Sequence, residues 1–322
     1  MITPKLSSNK QETSSPKCQG NDPKAADQQS TNLLEMTNDN RHSISWLMPL
    51  APSESPELFA ITLNCLEQQT VQAEELVIAA DGPLSAELCH VINSCTLPVI
   101  LKQQPQSQGI GATLKVVAPS CKGDLIMRID SDDIYAPNHT EIMSKNLAKH
   151  PNIGVLGCQL LEIDTSRGCQ QSARKTPTSR VEAQRWLPWR NPLNHQTIVI
   201  HRHVLIEAGG YRHSPGFEDW DLWLRVKAAG YGILNLETCT TAARVNHRHR
   251  LRRRGIQYIV QETHFYARQV KEGRIHIGIA ILACMSRLPW RLLPPKMLRW
   301  WMQSQWRGSP SFDTAWFSEF PL

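Results

Sequence analysis

Hydrophobic positions along the chain change period in a regular order. Residues 1 to 41 show no period: Gln, Asn, Ser, Thr, Lys and Pro dominate, with almost no aromatic or branched apolar side chains. Such a segment cannot bury enough surface to offset its ordering entropy, so it is expected to be disordered. The pattern then becomes structured. Ser43 to Met48 reads as a first strand, and Pro49 to Pro56 is turn-rich. Ser55-Pro56-Glu57 has the form of a helix start, with Ser as the cap and Pro at the first helical position. Leu58, Ile61, Leu63, Cys65 and Leu66 carry an apolar face on to about Gln69. Leu76-Val77-Ile78-Ala79-Ala80 is a continuous apolar run of the kind a strand buried on both faces needs, and Asp81-Gly82-Pro83 turns the chain.

A helix over Ser85 to about Ser94, a strand at Val99-Ile100-Leu101 and a helix opened by Gly109-Ile110-Gly111-Ala112 toward Val117 follow, then a strand ending near Ile129. Strands alternating with helices predict an α/β domain, with a mostly parallel central sheet and helices on both faces. Ligands of such sheets collect outside the carboxyl ends of the strands, where Asp81 and Asp130 fall. Farther on, Pro137 starts a helix to about His150, and Ile153 to Ile163 reads as a strand pair or one bent strand. Arg167 to about Ser179 is polar and reads as a loop, and Asn194 to Ile200 turns into a strand. Val204 to Ala208 is a short helix stopped by Gly209-Gly210, Glu218 to Ala229 a helix closed by Gly230, and Ile256 to Val270 one more.

Composition narrows the class. The 322 residues suffice for one large α/β domain with appendages or for two small domains. Apolar content of 41% with 20% charged residues is ordinary for a globular protein. Nine cysteines, an odd number with no C-x-x-C pair, argue against a disulfide scaffold or zinc ribbon and for a reducing compartment. There is no secretory apolar core at the N-terminus and no apolar run of the ~18–20 residues that span a bilayer. A cytoplasmic protein is expected, with room for peripheral contact at the cytoplasmic membrane face.

The candidate chemistry lies in two acidic groups. In Leu125-Ile126-Met127-Arg128-Ile129-Asp130-Ser131-Asp132-Asp133 an apolar run leads into three carboxylates within four residues. On a strand, alternate side chains share a face, so Asp130 and Asp132 are expected to point the same way. Like charges that close repel unless a cation lies beside them. Oxygen ligands here suit Mg²⁺ or Mn²⁺, which keep waters and take remaining ligands from substrate phosphates. The stretch therefore reads as a metal–diphosphate site; a surface turn is the plain alternative. An EF-hand loop from Asp130 to Glu141 is discarded, because Tyr135 stands where that loop needs Gly. The second group is Phe217-Glu218-Asp219-Trp220-Asp221-Leu222-Trp223. Acidic residues at a helix N-terminus are favoured by its free N–H groups. A carboxylate beside another carboxylate and a buried aromatic can also be tuned as a general base.

Taken in order, Ala80-Asp81-Gly82-Pro83-Leu84, Gly109-Ile110-Gly111-Ala112, Arg128 to Asp133, Arg190-Asn191-Pro192-Leu193-Asn194-His195, Gly209-Gly210-Tyr211 and Phe217 to Trp223 resemble a bacterial family-2 glycosyltransferase of the GT-A fold. The resemblance covers roughly Ser43 to Gly255 and points to the branch that builds exopolysaccharide and lipopolysaccharide, the amylovoran-type transferases. It implies a GT-A domain over residues 42–255 and a helical extension over 256–322. It further implies transfer from a nucleotide-sugar donor, UDP-linked, to a saccharide or lipid-linked acceptor. Asp81 would bond the pyrimidine ring, with Gly109 and Arg128 also on the donor side. Asp130 would contact the ribose or sugar, Asp132 would ligate Mn²⁺ or Mg²⁺, and Asp133 would assist. Arg253 and Arg254 match a basic pair near the diphosphate, and His247 is a candidate for completing the metal shell. Asp219 would be the general base, tuned by Glu218, with Arg190, Asn191, His195 and Trp220 near the acceptor.

One displacement with one base and no second nucleophile implies inversion at the anomeric centre. The chain departs from its relatives in having Pro49-Leu50-Ala51 after the first strand, and it lacks the Gln-x-x-Arg-Trp motif of processive synthases, so single transfer is expected.

The net charge of +6 is modest, but basic residues crowd Arg244 to Arg254. No stacking aromatics interleave them, so a diphosphate-facing or solvated loop is expected and no specific nucleic-acid binding. After Glu272, apolar and Trp residues mix with Arg and Lys, which suits either a helix lying in the membrane interface or a helical cap on the catalytic domain. The rival readings are a nucleotidyltransferase that forms nucleotide sugars and an inactive scaffold of a polysaccharide assembly complex. The first lacks its Gly- and Arg-rich loop after the first strand, and the second has no use for close negative charges.

Overall fold

The computed structural model describes residues 42–165, 168–245, 255–292, 307–308 and 316–317. The segment 1–41 lies outside them. Strand β1 (Ile44–Leu50) is buried along its whole length. Its alternation sends Trp46, Met48 and Leu50 into one core and Leu47 into another. β2 (Glu75–Ala80) and β4 (Leu125–Arg128) flank it, both parallel, and β3 (Val99–Gln103) lies parallel beyond β2.

Helices cover both faces of this half. In α1 (Pro56–Glu67) the Ser55 cap accepts the Leu58 N–H at 3.3 Å, and Phe59, Leu63 and Leu66 join the Trp46 core. α2 (Ala86–Ser94), capped by Ser85, adds Leu88 and Ile92 on the same side. α3 (Ile110–Val117) puts Leu114 and Val117 into the Leu47 core. The order β3-β2-β1-β4 reverses between β1 and β4. Ligand crevices of α/β sheets open at such reversals, outside the strand C-termini.

Beyond β4 the sheet turns mixed. β8 (Val199–His201) runs antiparallel to β4, and β6 (Ile153–Asp164) runs antiparallel to β8. β6 is one irregular strand, parallel to β9 (Gly232–Val245) with three register shifts. β9 also pairs the short β5 (Ile134–Tyr135), which brings the chain after Asp133 to Ala242.

Two strands differ from expectation. Within the expected loop, β7 (Gln170–Arg174) forms a hairpin with β6, and β10 (Arg307–Gly308) pairs with it. Most of its side chains are at least partly exposed, so they leave no apolar period. β9 turns Asn235, Thr240 and Thr241 inward, where Asn235 donates to the Pro177 and Pro192 carbonyls at 2.9 and 3.0 Å. Buried polar groups satisfied in this way hide a strand from hydropathy.

The remaining helices are α4 (His139–Ala148), α5 (Arg180–Trp186), α6 (Arg202–Glu207), α7 (Glu218–Ala228), α8 (Gly255–Lys271) and α9 (Ile277–Leu292). Among described residues, none is long and apolar enough to cross a membrane. α8 locks onto α7 through Gln269, which donates to Asp221 at 2.7 Å, and through Phe265 stacked on Phe217 at 4.9 Å.

Candidate active site

β4 ends at Arg128, so strand alternation does not govern Asp130 and Asp132; Ser131 and Asp132 form a turn instead. The turn is held from several sides. The Asp130 N–H donates to the Tyr135 hydroxyl at 2.7 Å, Ser131 Oγ donates to Glu54 Oε2 at 2.8 Å, and Arg244 Nη1 donates to the Asp132 carbonyl at 2.8 Å. Arg128, 3% exposed, ion-pairs with Asp130. Burial first, then Asp130 and Glu54, push the Asp132 carboxyl up to about 7. Burial and the two neighbouring aspartates raise Asp133 well above the carboxylate range.

This donor set fits a divalent cation. Asp133 is 2% exposed, and its Oδ2 has no hydrogen-bond partner. Mutual repulsion of the carboxylates would be relieved by positive charge. Among described residues no three His, Cys, Asp or Glu side chains converge as a complete cage. Mg²⁺ and similar ions, however, commonly take one or two carboxylates and complete their shell from substrate phosphates and water.

Asp81 follows β2 and organises the next loop. Its carboxylate accepts from Ser107 Oγ (2.7 Å), Gln108 N (2.9 Å), Gly109 N (3.0 Å) and Thr113 Oγ1 (2.6 Å). Burial alone would raise it, but these donors outweigh burial and hold it below the usual range. The four fill its acceptor positions, so an incoming N–H would have to displace one, most simply the rotatable Ser107 hydroxyl. Gly109 has φ +90°, a conformation that side chains rarely adopt. At Gly111 an added Cβ would lie 3.0 Å from Glu218 Cβ. The absent side chain at Gly111 thus lets the start of α3 close on the start of α7.

On that second side, Asp219 accepts from Asn191 Nδ2 at 2.5 Å and from the Trp220 N–H at 2.7 Å. Burial, then Asp219, push Glu218 up to about 7, while Arg128 pulls it down. His195 Nε2 meets the Tyr211 hydroxyl at 2.9 Å, and burial with Arg128 holds the ring well below its ordinary pKa, hence neutral. Arg190 lies over the Trp186 ring, and burial lowers it to about 10. Arg128 is therefore the shared neighbour: it pairs with Asp130 and acts through space on Glu218, His195 and Tyr211. Arg128 thus lies within electrostatic reach of both acidic groups.

Trp220 is placed in the core beside Asp219. Trp220 is 5% exposed, its indole N–H donates to the Leu187 carbonyl at 2.7 Å, and Phe265 packs on it at 4.8 Å. It is a keystone between α7 and α8. Trp220→Ala is expected to destabilise the fold by about 3–5 kcal/mol, the usual range for large aromatics in a core; urea unfolding measures it. Arg253, Arg254 and His247 lie outside the described residues. Glu54 and Tyr135 carry no role in the sequence reading, and Tyr211 enters it only within the Gly209-Gly210-Tyr211 motif; the signal available for Glu54 is an acid in the short loop leaving a central strand.

Glu218 also sets a pH dependence. Its folded-state pKa of about 7 exceeds the ordinary value of 4.5, so between about 4.5 and 7 the native state binds the extra proton. Stability from this group is thus lost as pH rises through that window. Glu218→Gln is expected to flatten that part of the Tm–pH curve.

Comparison with known proteins identifies the family. The profile of the family described as Glycosyl transferase family 2 matches residues 53–209. A glycosyltransferase of Haemophilus influenzae with no characterised activity is 30% identical over 257 residues, covering 79% of this chain and 96% of that one. The amylovoran biosynthesis glycosyltransferase AmsE of Erwinia amylovora is 28% identical, covering 82% and 99%. An Escherichia coli UDP-Gal:alpha-D-GlcNAc-diphosphoundecaprenol beta-1,3-galactosyltransferase is also 28% identical, covering 80% and 94%. In fold, the mannosyltransferase PcManGT of Pyrobaculum calidifontis, solved with GDP-Man and Mn²⁺, superposes with a TM-score of 0.55 at 14% identity, covering 91% and 92%. The chain belongs to the family-2 glycosyltransferases and has their GT-A fold.

Proposed function

We propose that this chain is an inverting, metal-dependent, non-processive glycosyltransferase. It moves a sugar from a UDP-linked donor to a hydroxyl of a saccharide or lipid-linked acceptor in cell-surface polysaccharide biosynthesis, in peripheral contact with the cytoplasmic membrane face. The observation that supports this reading most is Arg128, which pairs with Asp130 of one acidic group and acts through space on Glu218 of the other. The activities named for the Escherichia coli and Erwinia amylovora relatives support the donor, the lipid-linked acceptor and the polysaccharide setting.

Asp81 shapes the Ser107–Gly109 loop beside the nucleotide base. Asp132 and Asp133, with Asp130 close by, would hold Mn²⁺ or Mg²⁺ together with the donor's diphosphate. That ion, when bound, neutralises charge developing on the leaving group. Arg128 keeps Asp130 in place, and Arg244 fixes the turn through the Asp132 carbonyl. Asp219, oriented by Asn191, takes the proton of the acceptor hydroxyl, while Glu218 adjusts the local charge. His195 and Tyr211 support the floor between the two sides, and Arg190 borders the acceptor. A base on the face opposite the leaving group permits one displacement and so inverts the anomeric centre.

The test is a panel of nucleotide sugars with and without Mn²⁺, read by thermal shift and by NMR of the product's anomeric proton. A UDP-sugar should raise Tm only with the ion, and the product should be inverted. Retained configuration, or equal transfer in EDTA, would overturn the reading.

A further inference from the structure

Helix α9 is turned the opposite way from an ordinary amphipathic cap. Its arginines face inward. Arg287 Nη1 donates to Glu262 Oε1 at 3.0 Å and to the Tyr266 hydroxyl at 2.7 Å, and Arg291 donates to both Glu262 oxygens at 3.0 and 3.1 Å. Arg287 also lies 5.3 Å from the Trp220 ring centroid and Arg291 4.4 Å from that of Tyr258. Ala280 and Ala283 supply the close packing between them.

The outward side is apolar. Ile277, Ile281, Leu282, Met285, Leu288 and Leu292 are between 44% and 65% exposed. Their spacing of three and four residues puts them on one stripe. Single exposed apolar residues are normal, but a contiguous stripe of six marks an interaction surface.

Charge identifies the occupant. Of the six Lys or Arg from Gly273 to Phe312, Arg274, Arg287 and Arg291 pair with Glu272 and Glu262; the sequence adds Lys296, Arg299 and Arg307, no Asp or Glu, and four of the chain's ten tryptophans. A second copy would bring this basic stretch against itself. An anionic lipid surface complements it, and a sequence that follows an apolar helix stripe with Trp, Lys and Arg has the composition that interfacial segments use.

We infer that the outer stripe of α9 docks into the headgroup region of an anionic bilayer. The inference rests on the reading of the chain as a transferase with a lipid-linked acceptor, for which it names the surface that meets the lipid. Through Arg287 the inner face of α9 bears on Trp220, the residue after Asp219. Docking therefore sets the base-bearing helix α7 about one helix diameter, ~10 Å, behind the lipid surface. The expected alternatives of cap and interfacial helix are thus combined in one element: the inner face is the cap.

The test is co-sedimentation of the full chain with vesicles of phosphatidylcholine plus phosphatidylglycerol, and with phosphatidylcholine alone. Binding is expected to the anionic vesicles, and to weaken with salt. The double variant Leu282→Glu, Met285→Glu is expected to lose at least about tenfold in vesicle affinity, as burial of two large apolar side chains requires. It should keep the wild-type Tm and its transfer to a water-soluble acceptor, since both side chains are exposed and outside the catalytic cleft. Equal vesicle binding by the variant, no binding by the wild type, or a wild-type dimer that the variant abolishes would overturn the inference. Absence of transfer to the soluble acceptor by both proteins would count against the proposed function alone, because vesicle binding is read separately.

Discussion

Asp219→Asn is expected to lower kcat for transfer by about 10²- to 10⁴-fold, the range over which a positioned general base acts, while nucleotide-sugar binding is kept. The substitution is nearly isosteric but leaves one oxygen where two accepted hydrogen bonds, one from Asn191 and one from the Trp220 N–H. Losing one of them should cost about 0.5–1.5 kcal/mol of stability, small beside the rate effect. Tm measured alongside kcat separates the two. Undiminished transfer would remove Asp219 from the role of base and shift it to Glu218, whose carboxyl is already pushed up to about 7.

Asp132→Ala carries the second large effect, and its two readouts move in opposite directions. Transfer should fall by about 10³-fold or more, because a Lewis-acid ion contributes several kcal/mol to stabilising the leaving group's charge. Mn²⁺ should then no longer raise Tm. The ion-free protein should gain stability. Asp132 sits against Asp130 and Glu54 with a folded-state pKa of about 7, against an ordinary value of 3.8. Its ionised form therefore weakens the fold progressively from about pH 3.8 to 7, and above that window the full penalty remains. Removing the carboxyl relieves it, so an ion-free Tm at pH 8 above that of the wild type is expected. An ordinary structural aspartate would give the reverse.

Much of this architecture was legible because local signals agreed with tertiary placement. Ser55-Pro56 caps α1 as its sequence says, and the apolar runs of β1 and β2 are buried strands. The acidic run after β4 announced a site, although the turn at Ser131–Asp132, not strand alternation, arranges it. What stayed hidden depends on distance along the chain. Glu54 reaches Ser131 across 77 positions, and Arg244 reaches Asp132 across 112. β9 carries inward polar residues whose partners are remote, the Pro177 and Pro192 carbonyls for Asn235 and the His139 ring for Thr240, so no window of sequence marks it as buried. The burial of Trp220 is not readable from its place beside Asp219, because each step along a helix turns the side chain by about 100°.

Calorimetry of UDP-sugar binding to the Asp132→Ala and Asp219→Asn proteins, each with Mn²⁺, tests most directly whether the two acidic groups divide the work of one cleft. The account predicts that the first variant loses ion-dependent donor binding and the second retains it, though neither transfers sugar. Donor binding that survives at Asp132→Ala and vanishes at Asp219→Asn would contradict it.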